Sequence, residues 1–158
     1  MASESLKRVH LMLVEDSPGD VYLVQEALRR EGLNCSIEVA DNGETAIEAF
    51  DRVDDNPQET PPCLLLIDLN VPRKDGTHVL NRLRESSRCR GIPVIMITSS
   101  DSPLDRRRAL ELGVTEYFRK PSHLAEFMSL GKMVRRLLEE SYTKSADFLT
   151  RDTGQPRS

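Results

Sequence analysis

The stretch Cys63-Leu64-Leu65-Leu66-Ile67-Asp68-Leu69-Asn70-Val71-Pro72-Arg73-Lys74-Asp75-Gly76 decides how the chain is read. Its apolar residues run without alternation and stop at a carboxylate. So short a run, apolar at every position, is the pattern of a strand covered on both faces, as in parallel sheets. Four more short runs surround it: Val9 to Val14, Cys35 to Ala40 and Pro93 to Ile97, which carry Val, Ile or Leu, and Thr115 to Phe118, which carries Tyr and Phe. Between the runs lie longer stretches whose apolar residues recur every three or four positions. The chain therefore reads as a βα repeat, and five parallel strands fit it best.

The helices announce themselves by their ends. Ser17-Pro18-Gly19-Asp20 reads as an N-cap, a proline at the first helical position and an acid three residues on. That helix turns Val21, Val24 and Leu28 inward and is closed by Gly32. A second helix fits Gly43 to about Val53 and gives way to the polar, proline-containing stretch from Asp54 to Pro62, which cannot continue it. A third begins near Asp75 and packs Val79, Leu80 and Leu83. The fourth runs from about Ser102 to Leu112. The fifth, from Ser122 to about Glu140, carries Phe127, Leu130, Val134, Leu137 and Leu138 at helical spacing. Gly131 costs that helix about 1 kcal/mol relative to alanine, which predicts close packing or a local bend. The expected organisation is an N-terminal segment over 1–6, one globular domain over 7–140 and a polar, flexible tail over 141–158, with no output module.

Composition limits the function. The chain has 158 residues, 38% hydrophobic and 30% charged, which suits one soluble domain with its own core. Twenty-two basic against 26 acidic residues give a net charge of −4, so neither nucleic acid nor an anionic membrane is an expected partner. Cys35, Cys63 and Cys89 are widely spaced and have no histidine at metal-ligand distance, so they read as thiols in a reducing compartment. His10, His78 and His123 likewise stand alone. No stretch has the apolar length of a leader or a membrane span, and a cytoplasmic location is expected.

In an open parallel sheet, ligands bind at the carboxyl ends of the strands. Here those ends are unusually polar. The first run ends in Glu15-Asp16, the third in Asp68, the fourth in Thr98-Ser99-Ser100 and the fifth in Lys120-Pro121. If the first and third strands are neighbours, three carboxylates meet one ammonium and one hydroxyl. Like charges so close raise each other's pKa unless something compensates. Oxygen donors without thiolates or imidazoles favour a hard divalent cation, and Mg²⁺ is the natural guest. Asp68 then becomes an oxygen nucleophile able to accept a phosphoryl group, with Lys120 and the metal neutralising its oxygens and Thr98 donating a hydrogen bond. Each motif alone has a bland reading, a helix cap or a turn; together, in this order, they do not.

Leu13-Val14-Glu15-Asp16, Leu66 to Gly76, Ile97-Thr98-Ser99 and Tyr117-Phe118-Arg119-Lys120-Pro121 resemble the receiver domain of two-component response regulators, over roughly residues 7 to 140. The opening Glu15-Asp16-Ser17-Pro18-Gly19-Asp20-Val21 and the long loop after the second helix resemble the small single-domain regulators that partner phytochrome-type histidine kinases. The resemblance implies a flavodoxin-like doubly wound (βα)5 fold of the α/β class, strand order 2-1-3-4-5, with helices on both faces. It implies Asp68 as phosphoacceptor and Mg²⁺, replaceable by Mn²⁺, held by Asp16, Glu15, Asp68 and the backbone carbonyl of Asn70. Thr98, Lys120 and Ser99 serve the phosphoryl group. Thr98 and Tyr117 form the switch, and Asn70 with Ser100 tunes dephosphorylation. It also implies a cis Lys120–Pro121 bond. Glu15 departs from the family, many of whose members carry a second aspartate there.

Such a protein is not expected to act as a separate enzyme. It would take its phosphoryl group from a phosphohistidine of a sensor histidine kinase or phosphotransfer protein. It would then signal through the face of the fourth helix, fifth strand and fifth helix, including a possible homodimer. Arg106, Arg107 and Arg108 belong to that face but fan around the helix. Three alternatives remain at this stage. One is an aspartate-nucleophile phosphohydrolase of the haloacid-dehalogenase type, which usually has a second acid where Asn70 stands. Another is a flavodoxin-like cofactor carrier, which Glu15-Asp16 opposes by repelling phosphate. The last is an unphosphorylated receiver-like adaptor.

Overall fold

A strand apolar at every position must be covered on both sides, and the sheet is built to that requirement. In the computed structural model, which describes residues 9–153, the strands are β1 (His10–Val14), β2 (Ser36–Ala40), β3 (Leu64–Ile67), β4 (Val94–Thr98) and β5 (Glu116–Arg119). All neighbours pair in parallel, in the order β2-β1-β3-β4-β5. The expected order and direction are therefore observed. Alternate residues of each strand feed two cores. Leu11, Leu13, Leu64 and Leu66 face one side, whereas Met12, Val14, Leu65 and Ile67 face the other.

The first core is closed by α1 (Pro18–Arg30) and, after the short α5 (Leu124–Phe127), by α6 (Ser129–Thr153). Phe118 and Phe127 meet edge to face there, with ring centroids 5.6 Å apart. The second core is closed by α2 (Gly43–Asp55), α3 (Gly76–Glu85) and α4 (Pro103–Glu111). α1 starts as its sequence dictates: the Ser17 hydroxyl accepts the Asp20 N–H at 3.3 Å, with Pro18 at the first helical position.

Two expectations about the last helix change. It is not continuous from Ser122 to Glu140, but breaks at Met128 into α5 and α6. Gly131, just past that break, lies so close to α1 that a Cβ there would sit 2.5 Å from the Ala27 carbonyl, which is the close packing its glycine predicts. Nor does the helix stop at Glu140: it runs on through part of the expected tail to Thr153. No glycine or proline lies between Gly131 and Gly154 to end it, and polar residues are compatible with an outlying helix. Residues 154–158 and the N-terminal segment 1–6 lie outside the described residues.

Asp54, read in the sequence as the start of a loop, ties α2 to α3 and the turn after it. Its carboxylate accepts from Arg82 Nη2 at 2.9 Å and from the Ser86 hydroxyl at 2.7 Å; Ser86 is fully buried. The Arg82 bond, more than any other contact, holds its pKa down to about 2 despite the opposing effect of burial. Asp54→Ala should cost about 1–3 kcal/mol by leaving the buried Ser86 hydroxyl without its acceptor, while Arg82 keeps Asp51. Because the folded pKa is depressed, the contribution is complete above the unfolded value of 3.8 and lost as pH falls toward about 2. Urea titrations of both proteins between pH 2 and 7 should show a lower midpoint and a shallower acid limb for the variant.

Candidate functional site

The inter-strand hydrogen-bond pattern continues one residue past the strand ends, and this positions the polar groups. The Glu15 amide donates to the Ala40 carbonyl at 2.9 Å, Asp68 to Val14 at 3.0 Å and Lys120 to Thr98 at 2.7 Å. Glu15, Asp68 and Lys120 thus leave a common rim at fixed register. The Lys120 ammonium then donates to Glu15 Oε1 at 2.7 Å, Asp20 Oδ2 at 2.7 Å and Asp68 Oδ2 at 2.9 Å. Glu15 is 3% exposed and Asp68 9%.

These charges do not balance locally. Burial pushes the Glu15 carboxyl up to about 7, with the negative charge of Asp68 adding to it and the Lys120 ammonium pulling the other way. Burial by itself would lower the Lys120 pKa, but its hydrogen bonds to Asp20, Glu15 and Asp68 outweigh that and raise it. Lys120 therefore stays charged at any physiological pH.

Around this centre, the Asn70 N–H donates to Asp68 Oδ1 at 2.9 Å and so orients the carboxylate. Asp16 is exposed, and its amide donates to Glu15 Oε2 at 3.1 Å. Thr98 is 4% exposed, and its Oγ1 accepts the Ser100 N–H at 3.1 Å. Ser99 is exposed. The Tyr117 hydroxyl donates to the Ser100 carbonyl at 2.6 Å, and the Arg106 guanidinium lies 4.6 Å from the centroid of the Tyr117 ring. Asn70, Thr98 and Tyr117 line one cleft that runs from the loop after β3 toward α4.

Of the residues singled out from sequence, the structure joins Glu15, Asp68 and Lys120 directly, with Thr98 on the strand between the last two. Asp16 faces solvent beside them. The Lys120–Pro121 peptide is not cis: every peptide bond among the described residues is trans. Trans is favoured by about 0.5–1 kcal/mol for a bond to proline, and the Lys120 side chain reaches all three carboxylates from it. Asp20 was missed. Its spacing from Ser17 is fully explained by a helix start, and its partner lies 100 residues away.

The donors at the rim are oxygens in excess of positive charge, which suits a hard divalent cation such as Mg²⁺ or Mn²⁺. No three His, Cys, Asp or Glu side chains among the described residues are already arranged as a cage for a metal. Glu15, Asp20 and Asp68 are turned to the Lys120 ammonium instead.

Comparison with known proteins gives the family. The response regulator receiver domain model matches residues 11–131, and the chain belongs to that family. A probable methanogenesis regulatory protein, FilR2 of Methanothrix harundinacea, is 33% identical over 82% of this chain and 81% of its own length. The response regulator Rcp1 of Synechocystis is 30% identical over 92% of this chain and 99% of its own. The crystal structure of the phosphorylated cyanobacterial phytochrome response regulator RcpA superposes with a TM-score of 0.74 at 26% identity, covering 85% of this chain and 96% of that one. The Mn²⁺-bound form of Rcp1 superposes at 0.70 with 29% identity, over 80% and 91%. The chain is thus a receiver domain, similar to a cyanobacterial phytochrome response regulator and to a response regulator with Mn²⁺ bound. Receiver domains are regulators rather than turnover enzymes. Among the described residues, no helix is long and apolar enough to cross a membrane.

The raised Glu15 pKa has a measurable sign. Between about 4.5 and 7 the folded chain holds a proton that the unfolded chain releases, so stability falls as pH rises through that window and levels off above it. In EDTA, denaturant titrations should show a loss on the order of 1–3 kcal/mol between pH 4.5 and 7.5. Glu15→Gln should flatten that slope and be more stable than the parent at pH 8.

Proposed function

We propose that this chain accepts a phosphoryl group on Asp68 from a phosphohistidine of a sensor histidine kinase or phosphotransfer protein, and signals by protein contact. The observation that carries the reading is the Lys120 ammonium 2.9 Å from the Asp68 carboxylate, both held at the sheet rim. An Asp68 oxygen attacks phosphorus in line, an O–P bond forms as the N–P bond breaks, and the imidazole leaves with the bonding electrons. Asn70, by donating to Oδ1, holds the carboxylate in one orientation during the attack. Lys120 supplies positive charge to the phosphoryl oxygens, and the Thr98 hydroxyl becomes available to one of them. A divalent cation, Mg²⁺ or Mn²⁺, held by Asp16, Glu15, Asp68 and the Asn70 carbonyl, would neutralise the remaining phosphoryl charge.

The response would pass along contacts already present. Thr98 holds the Ser100 amide, and Ser100 holds the Tyr117 hydroxyl. Drawing Thr98 toward a phosphoryl group loosens both, with Ser99 small enough to leave access and Asn70 and Ser100 placed to influence hydrolysis. The change would surface on α4, β5 and α6. There Leu104 and Leu110 are 62% and 75% exposed, which supports docking of another protein or a second copy of this chain. The likeness to RcpA favours a phytochrome-type kinase, and the matched span, residues 11–131, falls within the proposed domain 7–140.

Incubation with acetyl phosphate and Mg²⁺ should add one phosphoryl group by intact mass, and the adduct should be absent in Asp68→Asn and with EDTA. An unmodified wild-type chain would defeat the reading. For the docking face, sedimentation should show more dimer on phosphorylation, and Leu110→Glu should accept the phosphoryl group but remain monomeric.

A further inference from the structure

An ammonium has three N–H donors, and on Lys120 all three are engaged, by Glu15, Asp20 and Asp68. The phosphoacceptor reading accounts for Glu15 and Asp68 but leaves Asp20 without a role. Asp20 is not needed to cap α1 either. The Ser17 hydroxyl takes the Asp20 amide, while the Asp20 carboxylate turns away from the helix to meet Lys120 at 2.7 Å.

We propose that Asp20 is a positioning residue that holds Lys120 in its resting place, so that an incoming phosphoryl group must compete with the Asp20 carboxylate for the ammonium. The proposal rests on the phosphoacceptor reading above. A phosphoryl group on Asp68 adds about −1.5 to −2 charges and three strong acceptors. Each bond Lys120 makes to it must be taken from a present partner. Glu15 is enclosed, and Asp68 carries the phosphoryl group itself. Asp20, with its side chain 28% exposed, is the most open of the three and is rehydrated at least cost when released. It is therefore the partner Lys120 leaves. Asp20 also adds a negative charge to a site that must receive an anion. Both effects oppose phosphoryl binding.

The test is the affinity of the full chain for beryllofluoride, a phosphoryl mimic, at saturating Mg²⁺, followed by ¹⁹F NMR or calorimetry. Asp20→Asn keeps the shape and removes the charge, and should bind roughly three- to ten-fold more tightly than wild type. Asp20→Glu restores a carboxylate and should bind within about two-fold of wild type, a rescue that a merely structural role for position 20 does not predict. Circular dichroism melts should show all three folded, because the Ser17 cap is retained. Unchanged or weaker binding by Asp20→Asn overturns the proposal, as does an equal gain in Asp20→Glu. Failure of the wild-type chain to bind beryllofluoride overturns the phosphoacceptor reading, and this one with it. Wild-type binding without the Asp20→Asn gain overturns this one alone.

Discussion

One ammonium holds the rim of the sheet together. Glu15 just after β1, Asp68 just after β3 and Asp20 at the start of α1 would repel one another without Lys120, and burial leaves water little room to intervene. The strand order makes the reach demanding. Lys120 follows β5, with β4 lying between it and Asp68 and β3 a further strand before Glu15. Strands are about 4.8 Å apart, so only a long, flexible side chain spans that distance. A compact ammonium with three independently directed donors can serve three carboxylates, whereas the planar fork of an arginine is matched to one. Removing Lys120 would strand three carboxylates together, which costs more than any one of its pairs contributes.

The opposite holds at α4. That helix buries only Ala109, and its N-cap residue Ser102 makes no side-chain hydrogen bond to it. It is fastened instead by exposed polar contacts, such as Arg106 with Asp101 at 3.1 Å and the Arg106 guanidinium over Tyr117. Exposed pairs of this kind contribute about 0–1 kcal/mol each. An element held that way sits at the low end of local stability, where small changes in hydrogen bonding redistribute populations. Thr98 and Ser100 connect the rigid rim to this loosely held helix, so the two regimes meet within three residues.

The difference between what was legible and what was not follows the range of the physics. Leu64 to Ile67 and Val94 to Thr98 declare themselves because a strand buried on both faces has no room for polar residues. Glu15, Asp68, Thr98 and Lys120 follow from where those strands stop. Ser17 and Pro18 fix the start of α1 by local geometry. Asp20 and Asp54 did not announce their partners, because Lys120 and Arg82 are brought to them by tertiary folding and leave no mark on nearby spacing. The break at Met128 was hidden for the same reason, since Phe127 and Leu130 keep helical spacing across it. The reach of α6 to Thr153 shows the converse: polar composition alone does not end a helix, and no glycine or proline between Gly131 and Gly154 stops it. The trans Lys120–Pro121 bond followed the intrinsic preference of the peptide, against what the resemblance implied.

The loop after Asp68 shows how a neighbouring helix restrains a part of the site that local sequence leaves free. Arg73 and Lys74 both take left-handed conformations, φ 51° and 65°, which costs side-chain-bearing residues about 1–2 kcal/mol each. The compensation comes from α2, whose first two amides, Gly43 and Glu44, donate to the Pro72 and Arg73 carbonyls at 3.0 and 2.8 Å. These are amides a helix start leaves without partners, so one contact satisfies the helix and pins the loop. The approach tolerates no side chain at position 43: a Cβ there would lie 1.5 Å from the Lys74 carbonyl oxygen. Glycine at the head of α2 thereby fixes the far end of the loop that begins at Asp68 and carries Asn70. The orientation of the Asp68 carboxylate thus depends on a helix that contributes no side chain to the site.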